Sequence, residues 1–350
     1  MKTYLNNPAE FFNLSTRRIF RHLILFITLS IIMMLSSIGA QAQNYLVTYS
    51  GLNLDARDLA YYPAKKQFII SSAQDGQLGF IDSEGGYSLL LKDSLLIGAT
   101  GLKINGDFLY VLTGNSVISS QANTHTDNQT KLVKVNLLDK TIIYVQEIDK
   151  LYKGPHFISD LAIDGEGAVY IVDAQSPVIY KIQSDGTGSV LLEDSRLNTE
   201  AFQTKTISYH KNGYLLVAVN STLLKIDLSN TNSISEVYIE EGLGAIASLH
   251  FTPEHLLILS EVGESGKIHI LNSTNSWASG NVLRTDTSTY LNPVNTDFVK
   301  NKIYVLDSHK DKVSSSDFSV RVIDLQKYPS KNKRKGRVIV GEVTVSKKGF

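Results

Sequence analysis

The chain has 350 residues, 43% of them apolar, with 34 basic residues against 34 acidic and no cysteine. Without cysteine there is no disulfide, no thiolate metal site, no cysteine nucleophile and no lipid anchor on cysteine. The zero net charge hides an asymmetry. Residues 1–42 hold four basic and one acidic residue, and residues 327–350 hold eight and one. The body, 43–326, carries 22 basic against 32 acidic residues, a net −10 that argues against nucleic acid as partner.

Residues 1–42 read as a cleavable signal peptide. Arg17, Arg18 and Arg21 form the basic region, Leu23 to Ile38 the apolar run, and Ala40-Gln41-Ala42 the small-residue cleavage site, so the mature chain begins at Gln43. The alternative, an uncleaved anchor, asks a 16-residue run to do the work of about 20. The segment Thr16 to Arg21 resembles a twin-arginine signal, but the strongly apolar run behind it suits the general secretory route. The expected location is secreted or periplasmic.

From Asn44 onward one phrase recurs: a polar pair, an apolar strand, a turn, a second apolar strand, a loop, and a third strand ending in Asp, Asn or Gln. Its clearest copy runs from Ser159 to Asp173 and continues through Val178–Gln183. Anchored on the first large apolar residue, the copies start at Leu59, Leu102, Leu161, Ile207, Leu249 and Phe298, with gaps of 43, 59, 46, 42 and 49 residues. The long gap carries a polar insertion, Asn115 to Thr130, which includes His125. Second strands are expected at Gln67–Ser72, Phe108–Thr113, Ala168–Asp173, Tyr214–Val219, His255–Ser260 and Lys302–Asp307. Fourth strands are expected at Tyr87–Leu91, Ile142–Ile148, Ser189–Glu193, Ile234–Glu240 and Asn281–Thr285.

Four short strands repeated every ~40–50 residues are the mark of propeller blades. The second strands are almost wholly apolar, as strands buried on both faces must be. The expected fold is therefore all-β, a six-bladed β-propeller of four-stranded antiparallel blades spanning 43–326, followed by a basic tail, 327–350. The sixth blade lacks an evident fourth strand. Asn44–Ser50 and Arg337–Val345 both qualify, and the N-terminal segment is the expected closure, since ring closure removes exposed edges.

In a propeller the first strands line the channel, so chemistry is sought just before them. Asp58, Asp160 and Asp297 occupy one equivalent position. Three carboxylates around a channel suit Ca²⁺, which takes six to eight oxygens. The competing reading is structural: each Asp accepts backbone N–H bonds from a neighbouring blade, and identical placement in repeats favours this. Arg57, Ser159, Thr204, Lys205 and Asn295 complete the expected channel mouth. His156, in the loop Gly154-Pro155-His156-Phe157, is the candidate general base. His210, His250, His255 and His269 lie in or beside strands without the spacing of a zinc motif. No phosphate loop or nucleophile elbow is present in the sequence. Asp82, Asn136, Asp227, Asn272 and Asp324, at third-strand ends, are expected to bond turn backbone.

The blade phrase resembles the six-bladed propellers of the NHL-repeat and senescence-marker-protein/gluconolactonase superfamily, most closely in the third blade. That resemblance implies a divalent-metal lactonase or esterase, its metal held by Glu, Asn and Asp before the first strands. Here the Glu position falls on Arg57, the Asn position on Ser159 and the final Asp position near Thr204. The expectation is therefore a non-catalytic propeller binding a protein, glycan or small molecule at the channel mouth, with a metal-dependent lactone or ester hydrolase as the alternative. The basic stretch Lys331 to Arg337 adds a candidate contact with an acidic envelope surface.

Overall fold

The computed structural model describes residues 44–49, 54–72, 76–114, 129–198, 205–262, 266–290, 293–308, 318–325 and 340–345. These form six sheets; four run outward from the first strand in sequence order, and the other two do so with strands added at the outer edge from elsewhere in the chain. Blade 1 comprises Ala56–Tyr62, Gln67–Ser72, Gln77–Ile81 and Tyr87–Lys92; blade 2, Gly101–Asn105, Phe108–Thr113, Lys131–Asn136 and Thr141–Glu147. Blade 3 comprises Ile158–Ile163, Val169–Asp173, Val178–Ile182 and Gly188–Glu193; blade 4, Lys205–His210, Tyr214–Val219, Thr222–Asp227 and Asn230–Glu236. Blade 5 comprises Ala245–Phe251, Leu257–Val262, Gly266–Asn272 and Ser279–Tyr290; blade 6, Pro293–Val299, Lys302–Ser308 and Phe318–Asp324.

The sixth blade is closed by Asn44–Tyr49, which pairs antiparallel with Phe318–Asp324. Val340–Val345 then adds parallel to the outer side of Asn44–Tyr49, so both candidate segments are used and blade 6 has five strands. Blade 5 also has five. Tyr238–Ile239 leaves blade 4 and pairs parallel with Ser279 and Gly280. The expected strand Ile234–Glu240 is therefore split, ending on blade 4 at Glu236 and resuming on its neighbour, with buried Val237 as the joint. The expected strand His255–Ser260 begins two residues later, at Leu257. His255 has φ 65°, and its N–H bonds Thr252 O at 2.9 Å, closing a turn over Pro253 and Glu254.

Each pair of adjacent blades encloses one apolar cluster, so six clusters ring the molecule. Ile69, Leu102 and Val111 sit between blades 1 and 2; Leu161, Tyr110 and Ile171 between blades 2 and 3. Val172, Ile207 and Val217 fill the next interface, and Leu216, Leu249 and Trp277 the one after. Ile258, Ile268 and Ile303 join blades 5 and 6, and Tyr49, Leu59 and Phe318 join blade 6 to blade 1. Every second strand serves two clusters at once, because successive side chains point to opposite faces. This is why those strands read as continuous apolar runs.

Two one-turn 3₁₀ helices, Ser94–Leu96 and Ser195–Leu197, bridge blades 1 to 2 and 3 to 4. Each is capped by the preceding Asp: Asp93 accepts from Leu95 N and Asp194 from Arg196 N. Leu96 and Leu197 plug the two interfaces from the rim. The Asp-Ser-x-Leu phrase that builds them is a second internal repeat. Among the described residues no helix is long and apolar enough to cross a membrane.

Candidate functional site

The first strands of neighbouring blades touch all the way round, forming the channel wall. Residues two apart on a strand face the same way. The positions just before and just after each apolar anchor therefore share the channel side and make two stacked rings. The mouth ring is Asp58, Gly101, Asp160, Thr206, Ser248 and Asp297. The inner ring is Ala60, Lys103, Ala162, Ser208, His250 and Val299.

In the mouth ring every carboxylate is engaged by the protein. Asp58 accepts from Leu59 N at 2.7 Å, from Leu102 N of blade 2 at 2.5 Å, and from Asn295 Nδ2 of blade 6. Asp160 accepts from Leu161 N at 2.7 Å, and from Thr206 Oγ1 at 2.5 Å and Ile207 N at 3.0 Å, both in blade 4. Asp297 accepts from Phe298 N at 2.7 Å and Tyr61 N of blade 1 at 2.7 Å. Each Asp thus clamps its own first strand to the next one in the ring. Ser248 does the same with hydroxyls, meeting Ser260 Oγ at 2.6 Å and Thr296 Oγ1 at 3.0 Å.

These residues do not fit a divalent metal. The three carboxylates already accept two or three donors apiece, and a cation would have to displace backbone N–H groups that have no other acceptor. Among the described residues no three His, Cys, Asp or Glu side chains converge on a point. Arg57, where the resemblance calls for Glu, is paired with Asp55 at 2.6 Å.

The remaining mouth candidates are also engaged. Ser159 Oγ donates to Lys205 O at 2.8 Å. Lys205 is buried, and its ammonium donates to Asp173 O at 2.5 Å and Ser176 O at 2.7 Å. Burial pulls that lysine down to about 8, against the pull of Asp173. Asn295, besides holding Asp58, accepts from Thr296 N at 2.6 Å. Thr204 and His125 lie outside the described residues.

His156 does not stand over the channel as a base. Its Nδ1 is 2.8 Å from Asp173 Oδ2 and its Nε2 is 3.0 Å from Tyr152 O. Tyr180 Oη lies 3.2 Å from the same Nδ1, so both ring nitrogens are engaged by the protein and neither is open to a substrate. Burial alone would lower the imidazole, but the Asp173 carboxylate and the Tyr152 carbonyl outweigh it and hold it above its ordinary value. Asp173 also accepts from Phe157 N, Gln175 N and Tyr180 Oη. The buried His156–Asp173 pair therefore fastens the loop before blade 3 onto the end of its second strand. In blade 5 a carboxylate alone takes this place: Glu261, near the end of the second strand, accepts from Gly244 N of the preceding loop at 2.8 Å. Of the third-strand Asx residues, Asp82, Asn136 and Asp227 each accept from a turn N–H as expected, but Asn272 does not: its Oδ1 is buried without a hydrogen-bond partner.

The inner ring is different. Small residues at Ala162 and Ser208 leave room, and a cavity of about 170 Å³ opens there, lined by Lys103, Ala162, Ser208, Tyr209, His250 and Phe251 among others. Lys103 Nζ, Ser208 Oγ and Tyr209 Oη have no hydrogen-bond partner among the described residues. His250 Nδ1 stands 4.0 Å from Asp297, too far for a hydrogen bond. Burial would lower Lys103, but Asp160, Asp58 and Asp297 outweigh it and keep the ammonium charged. Burial lowers His250, with Lys103 adding to the effect against Asp297. Burial raises Asp58 to about 7, while Lys103 and the N–H donors favour its charged form. The sequence reading passed over Lys103 and Ser208. The signal that finds them is the strand alternation, which puts the residue after each anchor beside the one before it.

The fold and this channel define a six-bladed β-propeller. No family model matches the chain, and no curated protein matches it. Solved structures do. The major allergen Mala s 1 of Malassezia sympodialis superposes with a TM-score of 0.65 at 16% identity, over 83% of this chain and 99% of that one. A putative gluconolactonase gives 0.55 at 14% identity, over 81% and 93%. Virginiamycin B lyase from Staphylococcus aureus gives 0.53 at 13%, over 79% and 99%. At these identities the likeness is one of fold.

Proposed function

We propose that the chain is a secreted or periplasmic, non-catalytic β-propeller that binds a ligand in its channel, released by cleavage near Ala42. One observation carries the reading: the mouth-ring carboxylates that hydrolysis would need as metal ligands each clamp backbone N–H groups of two blades. A divalent metal would polarise a carbonyl and lower the pKa of bound water, but no step is assigned to it here, because the residues do not fit it. The acidic body excludes nucleic acid as the natural partner. The basic segment 327–350 serves as a contact for an acidic envelope surface, with Val340–Val345 tying it to blade 6.

The test is turnover. The chain from Gln43 onward, incubated with lactones and aryl esters with and without Ca²⁺, should show no hydrolysis above buffer. Metal-dependent hydrolysis lost on Asp160→Asn would overturn the reading in favour of the lactonase.

A further inference from the structure

We infer that His210 is an acid-sensitive latch between blades 4 and 5: its neutral ring holds the turn Thr252–His255 against blade 4, and protonation releases that turn. The latch lies at the far end of the first strands from the mouth ring, and it is independent of what the channel binds.

The first ground is packing. His210 ends the first strand of blade 4 and is buried. Its ring stacks on Tyr214 at 4.4 Å, meets Phe251 edge-on at 4.8 Å and leans on His255 at 4.8 Å. Phe251 in turn packs edge-on against buried Trp277 at 5.6 Å. The imidazole is therefore the piece through which the blade 5 turn meets blade 4.

The second ground is the hydrogen bond. Asn212 N–H donates to His210 Nδ1 at 3.2 Å. An accepting Nδ1 belongs to the neutral ring. In the imidazolium both nitrogens donate, and Asn212 N–H would face a second donor.

The third ground is charge. His255 faces the ring from blade 5, Lys211 from the turn that follows it, and Lys225 from the third strand of blade 4. The Lys225 ammonium lies 4.6 Å over the Tyr214 ring and donates to Ser276 O at 2.7 Å. Of the carboxylates on these elements, Asp227 accepts from Ser229 N and Oγ, and Glu254 is exposed. Burial first, then these like charges, lower His210 to about 4. An unfolded histidine takes its proton at about 6.5. The closed latch is thus fully stable above about 6.5 and loses stability as pH falls through about 4. The turn is the element that gives way, since Pro253 and Glu254 at its tip are exposed. Its release uncovers Phe251, which also lines the inner-ring cavity, and Trp277.

Trp277 is the one tryptophan of the chain, so its emission reads the latch. For the chain from Gln43 onward, emission should shift reversibly to the red between about pH 6.5 and about pH 4, with the far-UV circular dichroism unchanged. His210→Phe keeps a ring in place without a proton site and should abolish the shift. His255→Asn suits the left-handed turn and removes a like charge, so it should move the transition to lower pH. Amide exchange on the unaltered chain is the second reading. At about pH 4.5, after correction for intrinsic rates, protection across Phe251–Leu257 should fall by about 10-fold or more, while the equivalent turn of blade 3, Ile163–Val169, keeps its own. Four results overturn the latch: no reversible shift, a shift that persists in His210→Phe, a transition that His255→Asn moves to higher pH, or protection lost equally in both blades.

Discussion

The two rings of the channel sit one strand-period apart and share the same six strands, yet they treat polar groups in opposite ways. In the mouth ring every Asp, Thr and Ser is spent on joining blades. In the inner ring Lys103 and Ser208 make no hydrogen bond among the described residues, and His250 approaches Asp297 only to 4.0 Å. The difference separates residues that a repeat copies from residues that it does not. Asp recurs at one position in three blades because each copy meets the same N–H groups. Lys103 and His250 occur once each in their ring, and unique residues in a repeat are where specific chemistry is to be sought.

The contrast can be broken by removing polar groups from each ring. The largest effect is expected from Asp160→Ala. It leaves the Leu161 and Ile207 N–H groups and the Thr206 hydroxyl buried without an acceptor, and should cost about 3 kcal/mol or more in urea unfolding. His156→Ala should cost about 2–3 kcal/mol, because it strips a buried carboxylate of its cation. It should also change the pH profile. The imidazole is held above its ordinary 6.5, so its contribution is complete below 6.5 and is lost as pH rises through the raised folded value. In the variant that alkaline loss should disappear from a series of melts between pH 5 and 9.

A matched pair sharpens the comparison further. Thr206→Ala removes a donor from Asp160 and should cost about 1–2 kcal/mol. Ser208→Ala, two residues on, removes a hydroxyl with no protein partner and should stay within about 0.5 kcal/mol. Equal losses would mean that the inner ring is as structural as the mouth. The subtlest effect is electrostatic. Lys103→Met should raise the Asp58 carboxyl above its value of about 7, since Lys103 favours its charged form. Carboxyl carbon NMR titration reads this directly.

The architecture was legible because it rests on repetition. Six apolar anchors, second strands apolar on both faces and Asx turns each recur, and each copy corrects the others. Where an element depends on its neighbour, the single-blade reading slipped. Tyr238–Ile239 crosses to blade 5 because an exposed edge is available there, which no local pattern reveals. The turn at His255 shifted a strand two residues along, to Leu257–Val262, because Thr252 and His255 close it across Pro253. The site was legible only in position. Residues flanking the anchors do line the channel, but whether Asp160 faces a metal or the N–H of Ile207 depends on a blade about 46 residues further on. His156 looked like a lone loop histidine because both its partners are distant in kind: a strand-end carboxylate and a backbone carbonyl.

The central claim, that the three mouth-ring aspartates are clamps and not metal ligands, is tested most directly by thermal unfolding of Gln43–Phe350 in EDTA and then in excess Ca²⁺. A cation bound only by the folded state would add about 2.7 kcal/mol at a hundred times its dissociation constant. The account predicts one midpoint in both conditions. An upward shift with Ca²⁺ that vanishes in Asp160→Asn would contradict it.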